Sequence, residues 1–131
     1  MLIPLRNYSN YSICESNIKI EDLVNFAEKE KLPAMALTDY KLLSGALEFS
    51  TKCKNKGIQP IIGLDVDFIS KLKHKSRLTL LCKNDKGFKN LNILSTKINT
   101  ENEFHLSLDN INNFSEGNIL ILGGLFSYFQ D

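Results

Sequence analysis

Tryptophan is absent from this chain of 131 residues, and histidine, cysteine and net charge are all scarce. Each shortage excludes something. The cysteines, Cys14, Cys53 and Cys82, are odd in number, widely spaced and form no CxxC pair. That speaks against a disulfide framework and against a zinc site, and makes a reducing cytoplasm the expected location. His74 and His105 have no ligand-spaced partner and read as surface residues. A formal net charge of +1 gives no global attraction to nucleic acid or to an anionic membrane. No apolar run approaches the ~20 residues that span a bilayer, and Arg6 is not followed by the apolar region of a signal peptide. No P-loop or Rossmann pattern surrounds Gly123-Gly124, which therefore reads as a turn rather than a phosphate cradle.

What is present is an ordinary globular composition, 43% hydrophobic and 24% charged, enough for one core and one domain over 1–131. Leu2-Ile3-Pro4-Leu5 reads as a first short strand, followed by a polar turn-rich stretch, Asn7 to Ser12. A helix is predicted over Glu21–Lys31, with acids in its first turn and Leu23, Val24 and Ala27 on one side. Pro33 ends it, and Ala34–Thr38 is a short buried strand. A second helix is predicted from Leu43 to Lys56, with Leu43, Ala46, Leu47, Ser50 and Cys53 on one face and Gly57 as its stop. From Ile61 the period changes to two. Ile62, Leu64, Val66 and Phe68 point one way, while Ile61, Gly63, Asp65 and Asp67 point the other.

Lys71–Arg77 reads as a basic loop. It interleaves no stacking aromatic, so we read it as solvated and expect no direct nucleic-acid contact. Leu78–Cys82 is the next strand, Asn84–Gly87 a turn, and Phe88, Leu91, Leu94 and Ile98 mark a third helix. Ser107 is placed to cap a short helix carrying Leu108 and Ile111, and Ile119–Leu122 is a last strand. The alternation implies an α/β fold with mainly parallel strands, open or curled into a barrel. The apolar tail Leu125–Phe129 has no partner element, which suggests a chain truncated at its C-terminus and prone to self-association.

Several blocks in order carry a resemblance: Leu5-Arg6 with Tyr8–Ser12, Pro33–Asp39, Gly45–Phe49, Gly57–Gly63, Leu78–Asn84 with Gly87–Leu91, and Glu116-Gly117 to Gly123-Gly124. With these the chain resembles the N-terminal PHP (polymerase and histidinol phosphatase) domain of bacterial DNA polymerase III alpha subunits. The resemblance implies a seven-stranded (β/α) barrel with a metal cluster at the C-terminal strand ends, of which this chain covers about the first half. The remaining strands and the polymerase regions would then lie elsewhere.

The departures from that pattern bear on the chemistry. Active members carry a histidine pair near the first strand where this sequence has Pro4 and Tyr8, and Asn10 stands where an aspartate is common. Tyr40 and Arg77 occupy two further histidine positions, and Asp65 replaces a glutamate. Only Asp39 and Asp65 remain as ligand types, and two carboxylates do not hold a multinuclear centre. The resemblance therefore implies vestigial ligands at Asp39 and Asp65, lost ligands at Pro4, Tyr8, Asn10, Tyr40 and Arg77, no catalytic residue, no metal and no cofactor. The purely structural alternative for the two acids is that each caps a loop or helix at a strand end. Tyr8, Tyr11 and Tyr40 would fill the former metal cavity with hydroxyls on the two acids.

By resemblance the function is that of an inactive structural platform in a DNA-directed DNA polymerase of replication, a nucleotidyltransferase. Its partners would be the remainder of the alpha subunit and the proofreading exonuclease subunit. The alternatives are a metal-dependent phosphoesterase of the PHP superfamily and a decayed gene fragment with no function of its own.

Overall fold

A computed structural model describes residues 2–70, 73–100 and 105–122. In chain order the elements are α1 (Ile20–Lys29), β1 (Ala34–Leu37), α2 (Ala46–Asn55), β2 (Gln59–Ile69), β3 (Lys75–Cys82), α3 (Asp85–Thr100), β4 (Leu106–Ser107), α4 (Leu108–Phe114) and β5 (Asn118–Ile121). Gly123-Gly124 and the tail Leu125–Phe129 lie outside the described residues.

The sheet runs β1-β2-β3-β5, with β4 on β2. β2 is its long central strand. Along one edge β1 pairs with its first half in parallel, Tyr40 bridges to Asp65, and β4 joins at Phe68 and Ile69. Along the other edge β3 runs antiparallel, from Gly63↔Leu81 to Ile69↔Lys75, and β5 is antiparallel to β3.

The α/β class is as expected, but the sheet is mixed rather than mainly parallel. The cause is the connection between β2 and β3, residues 70–74. A parallel crossover needs about a dozen residues or more, so so short a link returns the chain antiparallel. The supposed basic loop is correspondingly short, because Lys75 and Arg77 belong to β3.

Two cores lie side by side on one face of the sheet, the face opposite Asp65 and Asp67. Leu64, Val66 and Phe68 of β2 and Leu78 and Leu80 of β3 pack on Leu91, Leu94 and Ile98 of α3, with Leu106 and Ile111 closing one end. Leu64, Val66 and Phe68 belong to the apolar half of the period-two pattern on β2. The second core joins α1 (Ile20, Leu23, Val24, Ala27), β1 (Met35, Leu37) and α2 (Phe49, Cys53). Each such fully buried large side chain contributes roughly 1.5–3 kcal/mol. Ser107 caps α4 as expected, accepting from the Asn110 N–H.

Two expectations fail locally. Residues 2–5 form no strand, because Pro4 has no N–H to give a ladder. Instead residues 4–7 close the free edge of β1: Ala36 donates to the Pro4 carbonyl at 3.2 Å and Thr38 to that of Asn7 at 2.8 Å. The Asn7 side-chain amide donates to the Ala36 carbonyl at 2.9 Å.

The second helix starts at Ala46, not Leu43. Lys41 is left-handed (φ 62°), and its carbonyl accepts from Ser95 Oγ (2.8 Å) and Asn99 Nδ2 (2.7 Å) of α3. That anchoring draws Leu43 to the α3 core. The buried face of α2 is therefore Ala46, Phe49 and Cys53, whereas Leu47 is 80% exposed.

Candidate site at the strand ends

The chemistry-bearing residues converge where β1 ends and β2 and β3 cross its level. Period-two geometry places Asp65 and Asp67 on one face of β2. The antiparallel register sets Thr79 opposite Asp65 and Arg77 opposite Asp67. The bridge between Tyr40 and Asp65 brings in the residue after Asp39 from the other side.

Asp39 is 2% exposed. Its Oδ1 accepts from the Ser9 N–H at 2.6 Å and from the Ser12 hydroxyl at 2.7 Å, and its Oδ2 accepts from the Ser9 hydroxyl at 2.7 Å. Ser12 Oγ accepts in turn from the Tyr40 N–H at 2.9 Å. Gly45 lets the start of α2 approach, since a Cβ there would meet Ile20 Cδ1 at 2.8 Å and Asp39 Oδ2 at 3.3 Å. Asp39 thus organises the turn of residues 9–12, a carboxylate satisfied by the fold itself.

Asp65 is fully buried. Thr79 donates to its Oδ1 at 2.7 Å, Tyr8 donates its hydroxyl to Oδ2, and Arg6 Nη2 lies 3.3 Å from both oxygens. Arg77 Nε stands 3.8 Å from Oδ2. Asp67 takes the Tyr40 hydroxyl, Lys41 Nζ at 3.0 Å and Arg77 Nε at 3.4 Å. Arg77 also forks onto Glu15 at 3.0 and 3.2 Å, and its guanidinium lies 4.1 Å from the centre of the Tyr40 ring.

The charges shift one another's titration. Burial pushes the Asp67 carboxyl up, but hydrogen bonds from Tyr40 and Lys41 and the charges of Lys41 and Arg77 outweigh it, for a net downward shift. Burial raises the Tyr8 hydroxyl, helped by its hydrogen bond to Asp65, and Tyr40 rises for the same reason with Asp67 as partner. Burial lowers Lys41 and Arg77, and their acid and hydroxyl neighbours more than restore them, so both end above their ordinary values.

Of the positions singled out in the sequence, Asp39, Asp65, Tyr8, Tyr40 and Arg77 come together. Pro4 and Asn10 do not join the cluster: Pro4 braces β1 through its carbonyl, and Asn10 is exposed, its N–H donating to Ile18 at 2.8 Å. The tyrosines only partly follow expectation. Tyr8 reaches Asp65, but Tyr40 reaches Asp67 rather than either singled-out acid, and Tyr11 reaches Glu48 at 3.3 Å. Arg77 is the hub that pairs the acids Glu15, Asp65 and Asp67. Arg6, Ser9, Ser12 and Thr79 were missed, while Asp67 was placed on the same face as Asp65 without being singled out as a site residue. The i, i+2 spacing of Asp65–Asp67 and of Arg77–Thr79 carried a signal for the strands. Nothing in the sequence linked Ser9 and Ser12 to Asp39.

This set does not fit a metal centre. Among the described residues no group of three or more His, Cys, Asp or Glu is placed to hold an ion. The oxygens of Asp39 and Asp65 already accept from protein donors, and guanidinium groups stand beside Asp65. Nor is there an exposed nucleophile at Asp39, since Ser9 and Ser12 are both fully buried.

The PHP domain family matches residues 4–130. The chain belongs to the PHP domain family. This PHP chain is 38% identical to the DNA polymerase III subunit alpha of Chlamydia pneumoniae, over 98% of its own length and 12% of that protein. It is 40% identical to the Chlamydia trachomatis subunit over 79% of this chain and 9% of that one. With the Buchnera aphidicola subunit it shares 37% identity over 93% and 11% respectively. The chain thus spans about a tenth of the curated relatives it matches.

Among solved structures, an amidohydrolase from Chromobacterium violaceum superposes with TM-score 0.60 at 21% identity, over 74% of this chain and 33% of that one. A protein from Bifidobacterium adolescentis assigned as a metal-dependent phosphoesterase gives TM-score 0.58 at 11% identity, over 87% and 43%. Both likenesses show the fold alone. Among the described residues no helix is long and apolar enough to cross a membrane.

Proposed function

We propose that this PHP domain is part of a replicative DNA polymerase III alpha subunit and serves it as a catalytically inactive structural platform, with Asp39 and Asp65 as vestigial ligands. Nucleotidyl transfer would reside in polymerase regions beyond these 131 residues. The domain would brace those regions and the proofreading exonuclease in the cytoplasm, without touching nucleic acid itself. One observation carries the reading: the carboxylates that a PHP metal cluster would need are occupied by Arg6, Tyr8, Thr79, Ser9 and Ser12. A cluster of ions needs several anionic or neutral ligands to offset dehydration, and here cations and hydroxyls take those places.

The test is calorimetric titration of the chain with Zn²⁺ and Mn²⁺, alongside hydrolysis of a chromogenic phosphate ester. No saturable heat and no turnover are expected. Tight binding that is lost in Asp39→Ala and Asp65→Ala, with metal-dependent hydrolysis, would instead establish the phosphoesterase alternative.

A further inference from the structure

The acid face is misfitted to metal ions, yet its charge is balanced. Three carboxylates, Asp65, Asp67 and Glu15, meet three cations, Arg6, Lys41 and Arg77. Arg6 lies 3.3 Å from Asp65, and Arg77 lies 3.8 Å from Asp65, 3.4 Å from Asp67 and 3.0 Å from Glu15. Resting on the platform reading, we infer that Arg6 and Arg77 are built-in counter-ions that do in this chain the structural work of bound divalent ions. They neutralise the carboxylates of β2 and clamp the N-terminal segment across the polar face of the sheet.

The geometry supports the clamp at three points. Arg6 ties one end of the segment to Asp65, and Glu15 ties the other to Arg77. Between them Ser9 and Ser12 hold Asp39. A bound ion would gather ligands from several strands in the same way, but its occupancy depends on metal supply. A guanidinium is permanently charged, planar and forked, so it can meet two carboxylates and still lie over a ring, as Arg77 does over Tyr40. With Arg77 87% buried at its side chain and pointed at Asp65 and Asp67, an entering divalent ion would have to displace one fixed charge before gaining a ligand.

The test is thermal melting of the full chain with and without 1 mM MnCl₂ (about 1 mM suffices for weak carboxylate sites). Arg77→Gln is expected to melt ~5 °C or more below wild type and to recover part of that loss when Mn²⁺ takes the vacated charge position. The double variant Arg77→Gln/Asp65→Asn should not recover. Arg77→Lys, which keeps the charge, should show no Mn²⁺ response. Should Arg77→Gln be too unstable to purify, Arg6→Gln carries the same comparison, because Arg6 is 32% exposed and its loss is better tolerated.

A Gln variant that Mn²⁺ does not stabilise, or one stabilised equally after Asp65 is removed, overturns the counter-ion role and leaves the platform reading standing. Mn²⁺ stabilisation of wild type itself overturns the platform reading. The two failures are therefore distinguishable.

Discussion

Replacing Asp65 by asparagine keeps the shape of a fully buried side chain and removes its charge. At an effective dielectric near 20, a unit charge pair at the 3.3 Å separating Asp65 from Arg6 is worth about 5 kcal/mol, and one at the 3.8 Å to Arg77 about 4 kcal/mol. Neither is a net value. Arg6 is about one third exposed and partly screened, Arg77 retains Asp67 and Glu15, and desolvation has already cost part of the gain. Removing one member of a buried pair typically costs 3–5 kcal/mol, because the partner stays behind unpaired. The asparagine NH₂ would also face a shell of donors, of which only the Tyr8 and Thr79 hydroxyls can turn to accept. The expected loss is about 3 kcal/mol. With no tryptophan to report, urea unfolding is followed by far-ultraviolet circular dichroism. At a typical slope of about 2 kcal/mol/M, the midpoint should fall by roughly 1.5 M with the slope unchanged. A variant within about 0.5 kcal/mol of wild type, the scatter of inconsequential substitutions, would show that the ring of donors around Asp65 is not coupled to folding.

Three further outcomes follow from particular contacts. The folded state holds Asp67 below its ordinary value of 3.8. Its ion pairs therefore contribute stability that is complete above pH ~4 and lost as pH falls through the lower folded value. Asp67→Asn should cost on the order of 1 kcal/mol at pH 6, with the gap to wild type narrowing as pH falls below ~4; a gap that stays constant on acidification would contradict the assignment. In α2, Phe49→Ala should cost about 3–5 kcal/mol and Leu47→Ala no more than about 0.5 kcal/mol, since Phe49 is fully buried and Leu47 is 80% exposed; chemical denaturation with the reverse ranking would mean that the helix is rotated. A Cβ at Gly87 would meet the Gly117 carbonyl oxygen at 2.0 Å. Backbone cannot yield as a side-chain tip does, so Gly87→Ala should lower stability by at least ~2 kcal/mol, and an unchanged melting temperature would show that α3 and the Gly117 turn do not touch.

How much of this was legible in the sequence varied with the range of the interaction. Period-two alternation on β2, the Gly57 stop and the Ser107 cap are set within a few residues of chain, and all three stand as read. The mainly parallel arrangement does not hold because strand direction depends on the short link through residues 70–74, and the first residues of β3, Lys75 to Arg77, read as loop. The α2 face was misjudged because Lys41 is held by α3, more than fifty residues away, which pulls Leu43 out of the helix. Membership of the PHP domain family was legible from ordered blocks.

What the sequence could not hold was the state of the two acids. It placed Asp39 just past the end of β1 and Asp65 on the polar face of β2, with no histidine next to either in sequence. Only the tertiary structure decided what they do instead. Ser9 and Ser12 reach Asp39 from 27–30 residues away, and Arg6 reaches Asp65 across 59. Local propensity and periodicity carry no record of partners that distant. A buried carboxylate must be satisfied by something, and the packing of the N-terminal segment across the sheet supplied arginine, tyrosine and hydroxyl donors to do it.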